Sequence, residues 1–155
     1  MMNLSCKVIS ALKGKSLVTA ESCTGGGIGA ALTDVPGSSA VYKGGIICYT
    51  NWVKQNLLFV SSELLDREGA VSARVAEAMA KGARVALGAD IAVSVTGLAG
   101  PSGDEFGNPV GTVFICYDSA HSTQVKEFHF SGTRENIRMQ TIQAALQMIL
   151  DNTKI

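Results

Sequence analysis

The segment Ala20-Glu21-Ser22-Cys23-Thr24-Gly25-Gly26 sets two hydroxyls and a thiol side by side ahead of two glycines. It follows a short β-type run, Ser16-Leu17-Val18-Thr19, and feeds an Ala/Gly/Leu run with helical character. A turn between a strand and a helix N-terminus carries free backbone N–H groups and the positive end of the helix dipole, so it favours negative charge. Two uses fit: holding a phosphate, or holding the oxyanion of an acyl-transfer reaction beside Ser22 or Thr24. A serine nucleophile needs a base. His121 and His129 lie in late, polar-alternating sequence away from any glycine turn, and they read as surface or cross-strand residues. A lysine base is the convergent alternative. Lys54 falls one turn after Tyr49-Thr50-Asn51, just beyond the carboxyl end of Gly44-Gly45-Ile46-Ile47-Cys48-Tyr49, a run apolar on both faces that reads as a buried strand. If that strand neighbours the one ending at Glu21, Ser22 and Lys54 meet over one sheet edge. A lysine with an ordinary pKa of about 10.4 is a poor base at neutral pH. Burial and a positive helix end depress it, and Tyr49 is placed to relay a proton or orient the amine. The competing readings are a solvated Lys54 and a Ser22 that only shapes its turn.

Two further groups bear on ligands. Thr96-Gly97-Leu98-Ala99-Gly100-Pro101-Ser102-Gly103 packs Gly97, Gly100 and Gly103 into seven positions, which suits backbone approach to a ligand or several positive-φ turns. Arg134 and Arg138 are four apart and share one face of the last helix. They are either a solvated basic face or a grip on a phosphate. The sequence G-x-x-x-x-G-K-[ST] is absent, and Thr24-Gly25-Gly26-Gly27-Ile28-Gly29 misses the full dinucleotide fingerprint. Cys6, Cys23, Cys48 and Cys116 are scattered without a C-x-x-C pair, so no metal site is expected. Cys6, Cys48 and Cys116 read as small buried hydrophobes.

These groups need a scaffold, and 155 residues supply one domain, expected over 1–155. Such a chain buries about 68–70% of its unfolded surface. With 46% apolar but only 6% aromatic residues, the core must be built from Ala, Val, Ile and Leu. Thirteen basic and thirteen acidic residues, scattered singly, leave no net charge. That removes the basic stripe a nucleic-acid backbone needs and any polybasic membrane patch. Without a signal-peptide pattern or an 18-residue apolar run, a cytoplasmic protein is expected.

Helical spacing predicts helices over Leu4–Leu12, Gly25–Leu32, Trp52–Leu58 with Asn51 as its cap, a short one that Ser62 caps and that ends near Arg67, a long one that Ser72 opens and Gly88 closes, and Arg134–Leu150. The stripe Val75, Met79, Ala83 and Leu87 marks the buried face of the fifth. Strands are predicted to end at Glu21 and to cover Gly44–Tyr49, Asp90–Thr96, Val110–Tyr117 and Thr123–Phe130, the last two as a hairpin-related pair. Gly97 to Pro109 is a loop. Helices flanking a mostly buried sheet predict an α/β fold, a three-layer α/β/α sandwich. Glycine loops at strand carboxyl ends lie where such sheets place ligands.

In order, Ala20 through Gly26, Pro36-Gly37-Ser38-Ser39, Gly44-Gly45 through Asn51 with Lys54, Gly69-Ala70-Val71-Ser72, Thr96 through Gly103, Pro109 through Val113, and Gly132 through Arg134 with Arg138 resemble the CinA C-terminal domain family. The resemblance covers essentially the whole chain. It implies a three-layer α/β/α domain with a mixed, mostly parallel sheet, usually a homodimer. It also implies a nicotinamide-nucleotide amidohydrolase that converts nicotinamide mononucleotide to nicotinate mononucleotide and ammonia without metal or organic cofactor. By motif position, Ser22 is the implied nucleophile, Lys54 the base and Tyr49 the third member. Thr24, Gly25, Gly26, Ser39, Gly97, Gly100, Gly103, Arg134 and Arg138 are the implied substrate-binding positions. The chain departs at Asn108, where many relatives have lysine, at Ala73, where an acidic residue is common, and at Ser102, where glycine is. The rival expectation is a non-catalytic nucleotide-binding or regulatory domain.

Overall fold

The computed structural model describes residues 1–153. Twelve elements follow one another: α1 (Met2–Ala11), β1 (Leu17–Glu21), α2 (Gly27–Thr33), a 3-10 turn (Ser38–Ala40), β2 (Tyr42–Ile47), α3 (Asn51–Leu58), α4 (Ser62–Glu68), α5 (Ala73–Ala86), β3 (Ile91–Gly97), β4 (Thr112–Ser119), β5 (Thr123–His129) and α6 (Arg134–Thr153). The five strands form one mixed sheet in the order β2-β1-β3-β4-β5. Pairs β1–β2 and β1–β3 are parallel; β3–β4 and β4–β5 are antiparallel, so β4 alone opposes the other four. The β1→β2 crossover runs through α2 on one face. The β2→β3 crossover runs through α3, α4 and α5 on the other. Because the two crossovers head in opposite directions along the sheet, a constant right hand puts them on opposite faces.

Period-two alternation splits the core accordingly. Leu17, Val93, Val95 and Ile115 pack against α1, α2 and α6, whereas Val18, Ala20, Ala92 and Cys116 pack against Leu58, Leu65 and the α5 stripe. Three layers result, as the pattern of helices flanking a buried sheet predicts. Order reverses at β1, so the carboxyl ends of β1, β2 and β3 open a crevice at the sheet edge.

Several local expectations need correction. Thr50, extended at φ −99° and ψ 161°, is the N-cap of α3, and Asn51 already lies in the first turn. Ser61, not Ser62, caps α4, accepting from Leu64 N at 3.0 Å. Ser72 caps α5 as expected, through Val75 N. β2 starts at Tyr42 and stops at Ile47, and it is a half-exposed edge strand rather than a buried one. Gly25 and Gly26 precede α2 with φ of 57° and 100°, a left-handed turn open to glycine. β4 begins two residues late, because Gly111 still belongs to the preceding turn. Cys6 is exposed on α1, while Cys48 and Cys116 are buried. No helix among the described residues is long and apolar enough to cross a membrane.

Candidate active site

The crevice holds a cavity of about 400 Å³. Its floor is Ser22, Cys23 and Lys54, its walls are Tyr49, Ala70, Val71, Thr96 and the loop Gly97–Ser102, and Arg134 stands at its mouth. Ser22 continues β1 for one residue, its N–H donating to Val95 O at 3.1 Å, and its hydroxyl faces α3. Lys54 sits one turn into α3, and helix geometry tilts its side chain back toward the helix N-terminus. Its Nζ lies 3.0 Å from Ser22 Oγ and donates to Cys48 O at 2.7 Å and Tyr49 O at 3.2 Å. These two carbonyls leave the β2 ladder and turn to the amine, which is why the strand ends before the sequence pattern suggests.

Lys54 is only 1% exposed, so the solvated reading is excluded. No carboxylate pairs with it among the described residues. Burial drives its pKa below the ordinary 10.5. The nearby thiols offer little relief, because burial pushes Cys23 up to about 12 and Cys48 to about 11, and both stay uncharged at neutral pH. The start of α3 adds the positive end of a helix dipole, which disfavours an ammonium further. A neutral amine has two N–H donors and one lone pair. As an ammonium Lys54 donates to Ser22 Oγ and to both carbonyls; once neutral it keeps the two carbonyls as acceptors and turns its lone pair to the Ser22 O–H. This is the arrangement of an activated hydroxyl.

The turn after Ser22 is built differently from the sequence expectation. The N–H groups that open α2 are not free for a ligand. Glu21, 2% exposed, fills that position with its own carboxylate. Its Oε1 accepts from Thr24 Oγ1 at 2.7 Å and Ile28 N at 2.8 Å, and its Oε2 from Gly29 N at 3.0 Å and Thr19 Oγ1 at 3.2 Å. Thr24 is therefore fully buried in the scaffold. Gly25 N and Gly27 N donate within the turn. The Cys23 N–H has no acceptor among the described residues, and Cys23 lines the cavity. Glu21 was missed as a functional residue. The available signal was an acid six residues ahead of a glycine-rich helix start with no lysine or arginine beside it in the sequence.

The remaining candidates separate. Arg134 NH1 donates to Gly100 O at 2.6 Å and its NH2 to Tyr49 Oη at 3.1 Å, so Arg134 and Tyr49 meet at the mouth. The Tyr49 hydroxyl thus faces Arg134, while only its carbonyl touches Lys54. Arg138 lies behind the turn, with Nε donating to Cys23 O at 3.0 Å and NH2 to Thr24 O at 3.1 Å. Gly97 and Gly100 line the cavity, and Gly103 packs beneath Asn108 in the same loop. Gly25 lies against Arg138, and Gly26 against Ile47 on the far side of the turn. Ser39 is exposed in the 3-10 turn and does not line the cavity. Asn108 clamps its own loop, donating to both Asp104 oxygens and to Val71 O. His121 sits in the β4–β5 turn, and His129 pairs with Glu127 at the opposite edge of the sheet.

A three-layer α/β domain with a buried serine–lysine pair at the sheet's switch point is the class that fold and site define. The CinA C-terminal domain model matches residues 2–153, and the chain belongs to that family. It is 47% identical over 137 residues to a CinA-like protein of Desulfotalea psychrophila, covering 88% of this chain and 33% of that one. A CinA-like protein of Parasynechococcus marenigrum is 52% identical over 121 residues, 78% of this chain and 29% of its own. The chain thus spans about a third of the length of these curated relatives. Among solved structures, competence/damage inducible protein CihA from Agrobacterium tumefaciens superposes with a TM-score of 0.95 at 38% identity, covering 99% of this chain and 95% of that one. A competence or damage-inducible protein from Enterobacter asburiae gives 0.96 at 31%, over 99% and 98%.

Proposed function

We propose that this domain hydrolyses the carboxamide of nicotinamide mononucleotide to nicotinate mononucleotide and ammonia through Ser22 and Lys54. The observation that carries the reading is the buried amine 3.0 Å from Ser22 Oγ, held by two backbone carbonyls and by no carboxylate among the described residues. The substrate comes from the family resemblance. It agrees with a cavity that Lys54 and Arg134 line and no carboxylate does. In the first step Lys54 Nζ takes the Ser22 proton as Oγ bonds to the amide carbon. The oxyanion faces the Cys23 N–H, and one such donor is worth about 2.7–4 kcal/mol. Collapse breaks the C–N bond, Lys54 returns the proton to the leaving amine, and ammonia departs. Water, deprotonated by the same amine, then frees the acid from the acyl-serine. Ammonia release from the mononucleotide tests the reading. Tight binding of nucleotide with no ammonia leaves a non-catalytic nucleotide-binding or regulatory domain instead.

Arg134 is the guanidinium at the cavity mouth, and it takes the 5′-phosphate in this reading. Arg138 acts behind the turn, not on substrate. The neutral partners of Arg134 in the free domain, Gly100 O and Tyr49 Oη, leave it able to re-aim. Hydrogen bonds to charged groups contribute about 1.5–3 kcal/mol, so Arg134→Ala should raise KM for the mononucleotide roughly 10- to 150-fold. KM for the uncharged-tail riboside should change little. Steady-state kinetics on both substrates checks this, and equal effects would rule out phosphate reading.

The edge β2 and α3 leave Ile47, Tyr49, Trp52, Leu57 and Phe59 exposed, Trp52 at 67% and Phe59 at 72%. A patch of this kind marks an interface. The free edge of β2 beside it is self-complementary under a two-fold axis, which would pair its open backbone groups. A homodimer built there would bury the helix carrying Lys54. Light scattering should return twice the 16.1 kDa chain mass, and Trp52→Glu with Phe59→Glu should return one. A wild-type mass of one chain at micromolar concentration overturns the assembly.

A further inference from the structure

We infer that Glu21 is a positioning residue for Ser22: a buried carboxylate that fixes the turn carrying the hydroxyl by occupying the N-terminus of α2. The inference rests on the reading of Ser22 as nucleophile.

Residues of β1 alternate between the sheet faces. Ala20 packs on the α5 side, and Ser22 continues on that side toward Lys54. Thr19 and Glu21 point the other way, toward α2. The backbone is held up to this point by both neighbouring strands, through Cys48 N to Glu21 O and Ser22 N to Val95 O. Beyond Ser22 the ladder ends. The direction of the chain through Cys23 and Thr24 is set by what the Glu21 side chain grips, together with Arg138, which holds the Cys23 and Thr24 carbonyls from behind.

That grip is fully matched. Two donors reach each carboxylate oxygen, and a deprotonated carboxylate only accepts. Two donors are backbone N–H groups of the first turn of α2, where an anion is favoured by the dipole. The hydroxyl proton of Thr19 goes to Glu21, so Thr19 Oγ1 must accept from the Tyr42 hydroxyl 2.7 Å away. A line of polar groups thus runs Tyr42–Thr19–Glu21–Thr24, from the edge strand to the turn. The structure makes room for it at glycine: a Cβ on Gly29 would stand 2.6 Å from the Tyr42 hydroxyl, and one on Gly45 2.7 Å from the same atom. Ser22 is held from two faces, by Lys54 at its hydroxyl and by Glu21 through the turn behind it. Occupation by Glu21 also closes the start of α2 to a substrate phosphate.

The test uses Glu21→Gln, which keeps the shape and replaces one acceptor oxygen with a donor. Thr24→Val removes one donor to the carboxylate, and Met79→Ala, in the opposite core layer, serves as a stability control. Each is measured for ammonia release from the mononucleotide, for the rate of Ser22 labelling by a fluorophosphonate, and for Tm. Misplacement of a reacting atom costs about 100-fold, so Glu21→Gln should lose that much in kcat and in labelling rate, with KM little changed. Thr24→Val should lose part of both, and it decides the matter should Glu21→Gln not fold. Met79→Ala should lower Tm yet label at the wild-type rate below its melting range. Wild-type labelling in the Glu21→Gln or Thr24→Val protein overturns the inference, as does an equal loss in Met79→Ala. Labelling of wild type but not of Ser22→Ala keeps the nucleophile reading separate: if wild type neither labels nor releases ammonia, that reading falls and takes this one with it.

Discussion

Lys54→Met is expected to give a domain that melts higher than wild type and releases no measurable ammonia from nicotinamide mononucleotide. The two effects have one cause. A buried amine without a carboxylate partner is kept for its lone pair, and it destabilises the fold that holds it. Methionine has similar length, fills the same space and needs no partners, and the Cys48 and Tyr49 carbonyls it leaves without the amine offset only part of the gain. Each kcal/mol regained should raise Tm by about 2–4 °C for a chain of this size. The loss of base catalysis should cost about 100- to 10,000-fold in turnover. Calorimetry and the ammonia assay check the pair of outcomes, and a variant that is both less stable and still active would refute the assignment.

The same residue fixes the pH dependence. Its folded pKa lies below the ordinary 10.5, so the unfolded chain binds more protons between the two values. Stability therefore rises as pH climbs from below the folded value toward 10.5, and it is reduced where both forms are protonated. Activity needs the neutral amine, so kcat/KM should rise through the lowered pKa. Lys54→Arg should remove that limb, because a guanidinium stays protonated throughout. A pH–rate profile of this variant with the limb intact would assign it to another group.

Much of the site was legible because its chemistry rests on local signals. The strand–turn–helix pattern around Ser22 located the hydroxyl, and the absence of a placed histidine pointed to Lys54. Adjacency of β1 and β2, which brings the two together, was a condition the sequence reading had to assume. Pairing between strands is a long-range choice that no local pattern encodes. The helices were readable from their stripes, Val75 to Ala83 most clearly. Their ends were read less well: Thr50 and Asn51, or Ser61 and Ser62, are equally good caps by residue type, and only backbone dihedrals separate them. β2 was misread as buried because Gly-Gly-Ile-Ile-Cys-Tyr is apolar throughout, and exposure at a sheet edge depends on what lies beside the strand. The role of Glu21 was hidden because an acid before a serine is unremarkable until the fold returns α2 to it. Arg134 and Arg138 share a helix face, yet one reaches the cavity mouth and the other the rear of the turn. The one-turn offset between them decides that, not residue type.

Ser22→Ala should abolish turnover, by at least about 10,000-fold, while nucleotide affinity stays near wild type. Ser22 is only 7% exposed, so it offers substrate little surface in the ground state. On the proposed mechanism its contribution is the bond it forms with the amide carbon, and that belongs to the reaction alone. No neighbour can substitute. Thr24 Oγ1 is buried and already donates to Glu21. Cys23 lines the same cavity, but with its pKa near 12 the thiol carries almost no thiolate at neutral pH. Lys54 itself would face a methyl group where the hydroxyl had been, with its lone pair unused. Equilibrium binding and single-turnover ammonia release measure the two halves of the expectation. Retained turnover would require a water activated directly by Lys54, because that amine would be the only base left beside the cavity floor. Hydrolysis would then proceed without an acyl-enzyme, and hydroxylamine would trap no acyl group from the serine of the wild-type domain.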